Sequence, residues 1–159
     1  MKFKILLAVV VIFFLTGATH VVAQQEFIWD VYKVKLTLPD DFKITKNTDH
    51  EFEADGQGME LTMYIFDDHK VTLDAMSDAT VEVAKQMKLE HWDAIHDLEY
   101  NGFQGKYVLG AKGKDAVMIA GLMNPDNASN FWIAITFNDG DENAEKDGLK
   151  ILNSIKTTK

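Results

Sequence analysis

The chain has no cysteine, no arginine and only two prolines in its 159 residues. Without cysteine, thiol catalysis and disulfide exchange are excluded, and so is a lipidated cysteine at a processed N-terminus. Disulfide-stapled exported domains have small cores, so this chain must hold by packing alone. Without arginine, there is no planar fork to clamp a carboxylate or phosphate bidentately. All positive charge is lysine, 16 residues against 25 Asp and Glu, for a formal net charge of −9. Nucleic acid requires a basic footprint and an anionic membrane attracts basic segments, so both are excluded as partners. Cations and basic proteins remain compatible with this balance, as does plain solubility. There is no G-x-S-x-G elbow, no S-x-x-K and no phosphate-cradling glycine loop. Nothing therefore supports nucleophilic catalysis, and a hydrolase is the weakest of the functional readings.

What is present begins with an export signal. Residues 1–23 carry Lys2 and Lys4, an apolar run from Ile5 to Leu15, then small residues. That is the layout of a cleaved secretory leader, and the run is about half the length of a membrane-spanning helix. Val21 and Ala23 place the cut before Gln24, with Gly17 to Thr19 as a second position. Cleavage at Gln24 leaves one domain, residues 24–159, with 14 lysines against 25 acids. A periplasmic or secreted protein without stable membrane insertion is expected. A domain of this length buries roughly two-thirds of its unfolded surface.

The mature chain shows no repeats, low-complexity tracts or Pro/Ser-rich linkers. In VYKVKLTLP, Tyr32, Val34, Leu36 and Leu38 alternate with Lys33, Lys35 and Thr37, which predicts a half-buried strand stopped by Pro39. HEFEA and MELTMYIF flank the turn DGQG as a hairpin. From Thr72 the period lengthens. Leu73, Met76, Thr80, Val83 and Met87 form a helical stripe, with Thr72 as N-cap and an end near Leu89. WDAIHDLEY, FQGKYVLGA, AVMIAGLM and FWIAITF then read as a four-strand meander, and a second helix starts near Glu142 and carries Ala144, Leu149, Ile151, Leu152 and Ile155. Both alternating sets of AVMIAGLM are apolar, so that strand is covered on both faces. The expected architecture is α+β: a single-domain α/β/α sandwich, largely antiparallel, with helices on both faces, helped by Phe27 and Trp29.

This order resembles the PsbP/DcrB-like group, a fold shared by the photosystem subunit PsbP, the envelope protein DcrB and a Ran-binding nuclear transport factor. The matching stretches are VKLTLPDDFKI, EFEADGQGMELTMYIF, the helix from Leu73, LEYNGFQGKY and LKILNSIK, within residues 30–156. The resemblance implies the fold and a protein-binding role. It implies no shared catalytic residues, and the basic or metal-linked features of the plant proteins have no matching positions here.

Four stretches invite chemistry. In EHWDAIHD, unbroken strand parity puts Trp92, Ala94, His96 and Leu98 on one face and His91, Asp93, Ile95 and Asp97 on the other. The two histidines then lie on opposite sides, and His96 is read as a core or boundary histidine. A helix would leave them about 140° apart, whereas a metal-binding helical pair needs four-residue spacing. His91, Asp93 and Asp97 would make a thin surface cation set, better read as an acidic edge that discourages sheet aggregation. In FDDHK, Asp67, Asp68 and His69 have suitable types for a metal, but acids before a helix are favoured by its dipole. NDGDENAEKDG fails as a calcium loop, because Ala144 stands where glycine is required and Lys150 where glutamate is. It reads instead as a turn plus the first acids of a helix. NPDNASN holds a formal glycosylation sequon at Asn127, read as chance behind a bacterial-type leader. That polar loop, through Asn124, Asp126, Asn130 and Trp132, is the candidate surface for a partner or ligand.

These readings lead to an exported, non-enzymatic binding or accessory domain that presents an acidic edge or loop surface to a protein or small ligand, with no cofactor. The alternative is a divalent-cation protein using His91, Asp93 and Asp97, or Asp67 and His69.

Overall fold

The computed structural model describes residues 24–56, 58–66, 71–125 and 129–158. The leader, Asp67, His69, Asp126 and the sequon asparagine lie outside these residues. The chain opens with β1 (Gln24–Trp29), which pairs antiparallel with β2 (Val34–Pro39) in unbroken register from Gln24 opposite Pro39 to Trp29 opposite Val34. Between them runs a 3₁₀ turn, Asp30–Tyr32, closed by Lys33 at φ 52°. Tyr32 thus leaves the strand that its alternation predicted. Its ring instead meets Trp29 edge-on at 4.8 Å.

Strands β3 (Lys43–Asn47), β4 (Glu51–Gly56) and β5 (Met59–Ile65) form consecutive antiparallel pairs. Helix α1 (Met76–Gln86) follows. Then come β6 (His91–Trp92), β7 (His96–Tyr100), β8 (Phe103–Lys112), β9 (Asp115–Asn124) and β10 (Ser129–Asn138). Helix α2 (Glu142–Ser154) and β11 (Lys156–Thr157) close the chain. The larger sheet runs β3-β4-β5-β10-β9-β8-β6, with β7 also on β8; the smaller runs β1-β2-β11. This is an α+β fold with a large antiparallel sheet and two helices, and the predicted meander is its centre.

Strand β9 explains the layering. Ala116, Met118, Ala120 and Leu122 join the main core with β1, β2 and the α2 residues Ala144, Ile151, Leu152 and Ile155. Val117 and Ile119, which point the opposite way by alternation, cluster with Ala84 and Leu89. The main-core side is therefore covered by a helix together with a three-stranded sheet. β1 was read only as apolar help around Phe27 and Trp29. Trp29 is fully buried, and its indole N–H donates to the Thr48 carbonyl at 2.6 Å.

Each helix ends where local chemistry satisfies its orphan groups. Thr72 was read as the N-cap of α1; its hydroxyl accepts the Ala75 N–H at 3.3 Å, but that closes a preceding turn and the helix proper starts at Met76. At the other end Lys88 adopts φ 62°. The Leu89 N–H reaches Ala84 O and the Lys88 N–H reaches Lys85 O, a Schellman stop whose apolar contact is Leu89. In α2, the Asp141 carboxylate accepts from Asn143 and Ala144 N–H at 3.0 and 3.1 Å. The acids of NDGDEN thus cap a helix.

Candidate functional site

EHWDAIHD is broken by a β-bulge. His91 opposes Ala111 and Trp92 opposes Gly110, yet His96 opposes Tyr107. Three residues, Asp93 to Ile95, face two on β8, so one is extra and parity flips across the bulge. This corrects the unbroken-strand reading. Trp92 packs in the α1 cluster, whereas Leu98 and Tyr100 belong to the main core. His91 and His96 share one face after all, roughly 13 Å apart if their partners on β8 are counted at a strand's rise.

His96 is exposed, not a core histidine, and its ring stacks on Tyr107 at 4.9 Å. Asp97 is ion-paired with Lys106 and lies on the opposite face from His91. Asp93 stays on the His91 side, where burial first, then Glu145 and Asp93, raise the Tyr107 pKa. The three-member cation set is therefore not assembled. Among the described residues no group of three or more His, Asp or Glu is placed to hold a metal.

The hairpin after β7 forms a second feature. Asn101 and Gly102 take φ 51° and 82° between the paired Tyr100 and Phe103, the two positive φ values of a type I′ turn. Beside it lies a cleft of about 420 Å³ lined by Glu99 to Gln104 and by Pro125. The Asn124 amide lies 3.8 Å from where a Gly102 Cβ would stand. The Tyr100 hydroxyl is buried without a hydrogen-bond partner, and burial pushes its pKa far up.

Because the unfolded phenol ionises near pH 10 while the folded one stays neutral, the folded chain binds more protons there. Stability falls as pH rises past about 10. Tyr100→Phe is expected to be neutral or stabilising by up to about 1 kcal/mol at neutral pH. It should also blunt the alkaline loss, as read from urea midpoints at both pH values. A lower midpoint at neutral pH would contradict this.

The third feature is the half of the large sheet away from α1. Helix α1 packs chiefly over β8 and β9. On the same face, β4 and β5 present Glu51, Glu53, Asp55, Glu60, Thr62 and Tyr64, all exposed or half-exposed, while Phe52, Ala54, Leu61 and Met63 point into the core. Tyr64 is 47 % exposed and sits between Glu51 and Trp132 across the sheet. Trp132 in turn packs on Phe66 at 5.1 Å. Lys46 hydrogen-bonds Glu51, which lowers the Glu51 pKa, and lies 3.6 Å from Glu53. The Glu51 carboxylate holds the Tyr64 pKa up.

The loop surface inferred from sequence is divided by this geometry. Trp132 and Asn130 belong to the open face, whereas the nearly buried Asn124 lies on the other face against Gly102. The Glu51–Tyr64 surface was missed; its signal was the run of acids alternating with apolar residues in EFEADGQGMELTMY.

Both the sheet order and the closing helix belong to the PsbP/Mog1-like fold, and the chain has that fold. It superposes on the Ran-binding protein Mog1p of Saccharomyces cerevisiae with a TM-score of 0.58 at 8% identity, over 84% of this chain and 95% of that one. Cyanobacterial PsbP (CyanoP) from Synechocystis matches with a TM-score of 0.57 at 9% identity, over 89% and 96% of the two chains. A protein from Bacteroides thetaiotaomicron matches at 0.51 and 13% identity, over 84% of this chain and 48% of its own. No family model and no curated protein matches. Among the described residues no helix is long and apolar enough to cross a membrane.

Proposed function

We propose that this chain is an exported, non-enzymatic binding or accessory domain that meets a basic protein surface through the open half of its large sheet. The observation that carries the reading is the exposed Tyr64 beside Trp132, ringed by Glu51, Glu53 and Glu60 on strands that α1 leaves open. Aromatic groups supply most binding energy at protein interfaces, and a rim of one charge selects a partner of the other and speeds its approach. A structural neighbour bears the name of a Ran-binding protein, so protein binding is one use of this fold; fold alone does not transmit function. Residues 24–159 are read as one domain, an α/β/α sandwich with α1 as one outer layer and α2 with the small sheet as the other.

The test is charge reversal. Glu53→Lys combined with Glu60→Lys is expected to weaken retention of the partner from the cell envelope by about tenfold or more, near 1.4 kcal/mol. Asp139→Lys, in the turn before α2, is expected to leave it unchanged. Equal retention by both variants would sink the proposal. The cation alternative is left with His91 and Asp93. A melting shift with Zn²⁺ that EDTA reverses and His91→Ala removes would establish it; no shift would end it.

A further inference from the structure

We propose that Asn101–Gly102 is a deamidation site whose conversion releases the C-terminal end of α2. The chain has a single Asn-Gly step, and glycine leaves the following backbone nitrogen unshielded by any side chain. The structure gives this asparagine a task. Its Nδ2 donates to Asn153 O at 3.1 Å and to Ile155 O at 3.0 Å, two carbonyls at the end of a helix, where intrahelical donors run out. One amide thus ties the tip of the β7–β8 hairpin to the point where α2 passes into β11. The C-terminal segment has little else to hold it: β11 pairs with β2 through Lys156 and Thr157, and Thr158 adds hydrogen bonds to Lys33 O.

The chemistry needs no partner but water. The Gly102 amide nitrogen attacks Asn101 Cγ, forming a C–N bond as its own proton passes to the departing Nδ2. The Cγ–Nδ2 bond breaks and ammonia leaves a five-membered succinimide. Water then opens that ring at the side-chain carbonyl to give aspartate, or at the main-chain carbonyl to give isoaspartate. In the native geometry Nδ2 is engaged by two acceptors and the backbone is fixed in the left-handed region, so cyclisation must wait for the latch to open. Once converted, the latch does not re-form. A carboxylate has no proton to donate, and it would face two carbonyl oxygens where a donor stood. It also adds a negative charge beside Glu99 in the cleft wall.

The purified chain held at mildly alkaline pH, natively and in urea, tests this by peptide mapping with isoaspartate detection. Residue 101 should convert before any other asparagine in the native chain, and about tenfold faster or more in urea, because native reaction runs only through local opening. Converted molecules, separated by their extra negative charge, should show accelerated hydrogen exchange at residues 153–157 with β9 unchanged. Asn101→Asp should behave alike; if that variant does not fold, the aged parent carries the test. Another asparagine converting first, equal native and urea rates, or parental exchange at 153–157 after conversion would each overturn the proposal.

Discussion

Gly105→Ala is expected to yield a chain that does not reach the native fold in useful amount. Gly105 lies on β8 between Leu98 and Leu122. A Cβ built there would stand 1.9 Å from the Gly121 carbonyl oxygen and 3.1 Å from Leu122 Cδ2. The first obstacle is backbone, so no rotamer change relieves it. Nor can β9 retreat: a Cβ on Gly121 would itself meet Trp132 at 2.4 Å and the Met76 sulfur at 2.5 Å, so the other face is already filled by β10 and α1. Inserting one methyl into such a packed layer costs about 3 kcal/mol or more, a large part of a domain's total of roughly 5–15 kcal/mol. Soluble yield and the urea midpoint check this. An alanine variant with the parental midpoint would show that β8 and β9 do not approach as described.

Trp29→Ala carries the second large effect. The indole is fully buried at the end of β1, 4.8 Å from the Tyr32 ring and 6.3 Å from that of Phe52. Its N–H reaches Thr48 O at 2.6 Å, tying the small sheet to the β3–β4 turn. Truncating a buried aromatic side chain costs about 3–5 kcal/mol, and here the Thr48 carbonyl also loses its donor. Trp29→Phe should recover more than half of the loss, since most of the packing returns without the hydrogen bond. Urea unfolding of the three proteins gives the comparison. A loss below about 1 kcal/mol for Trp29→Ala would contradict the role assigned to β1.

Elements with two contrasting faces were legible. Alternation placed β2, β4 and β5, the doubly apolar β9 announced cover on both sides, and the Asn-Gly step marked a type I′ hairpin. Elements without such contrast were not. The five residues of β3 are all exposed, so they have no apolar period to read. β1 has a weak alternation, and its partner β2 is the only reason its backbone is extended. The Thr72 cap was assigned a turn early because a threonine hydroxyl satisfies a turn and a helix start in the same way.

The bulge at Asp93 to Ile95 had the largest consequence for the candidate site. Parity counting assumes that every residue advances the strand by one pleat, and a single extra residue reverses all that follows. No glycine or proline within EHWDAIHD announces it. The nearest trace is across the ladder at Gly110, where a Cβ would meet His91 O at 2.5 Å. His96 was therefore assigned to the wrong environment and Asp97 to the wrong face. The open sheet surface was missed for another reason: which half of a sheet a short helix covers depends on tertiary packing, and no local pattern records it.

The account rests most heavily on Tyr64 as the centre of a protein-binding face. The most direct measurement installs a photo-crosslinking amino acid at position 64 in the full chain, with Lys114 at the far turn of β8–β9 as control, and irradiates intact cells of the source organism. A discrete protein adduct from position 64, absent from position 114 and lost in Glu53→Lys/Glu60→Lys, is the predicted result. No adduct from position 64, or the same adduct from both positions, would contradict it.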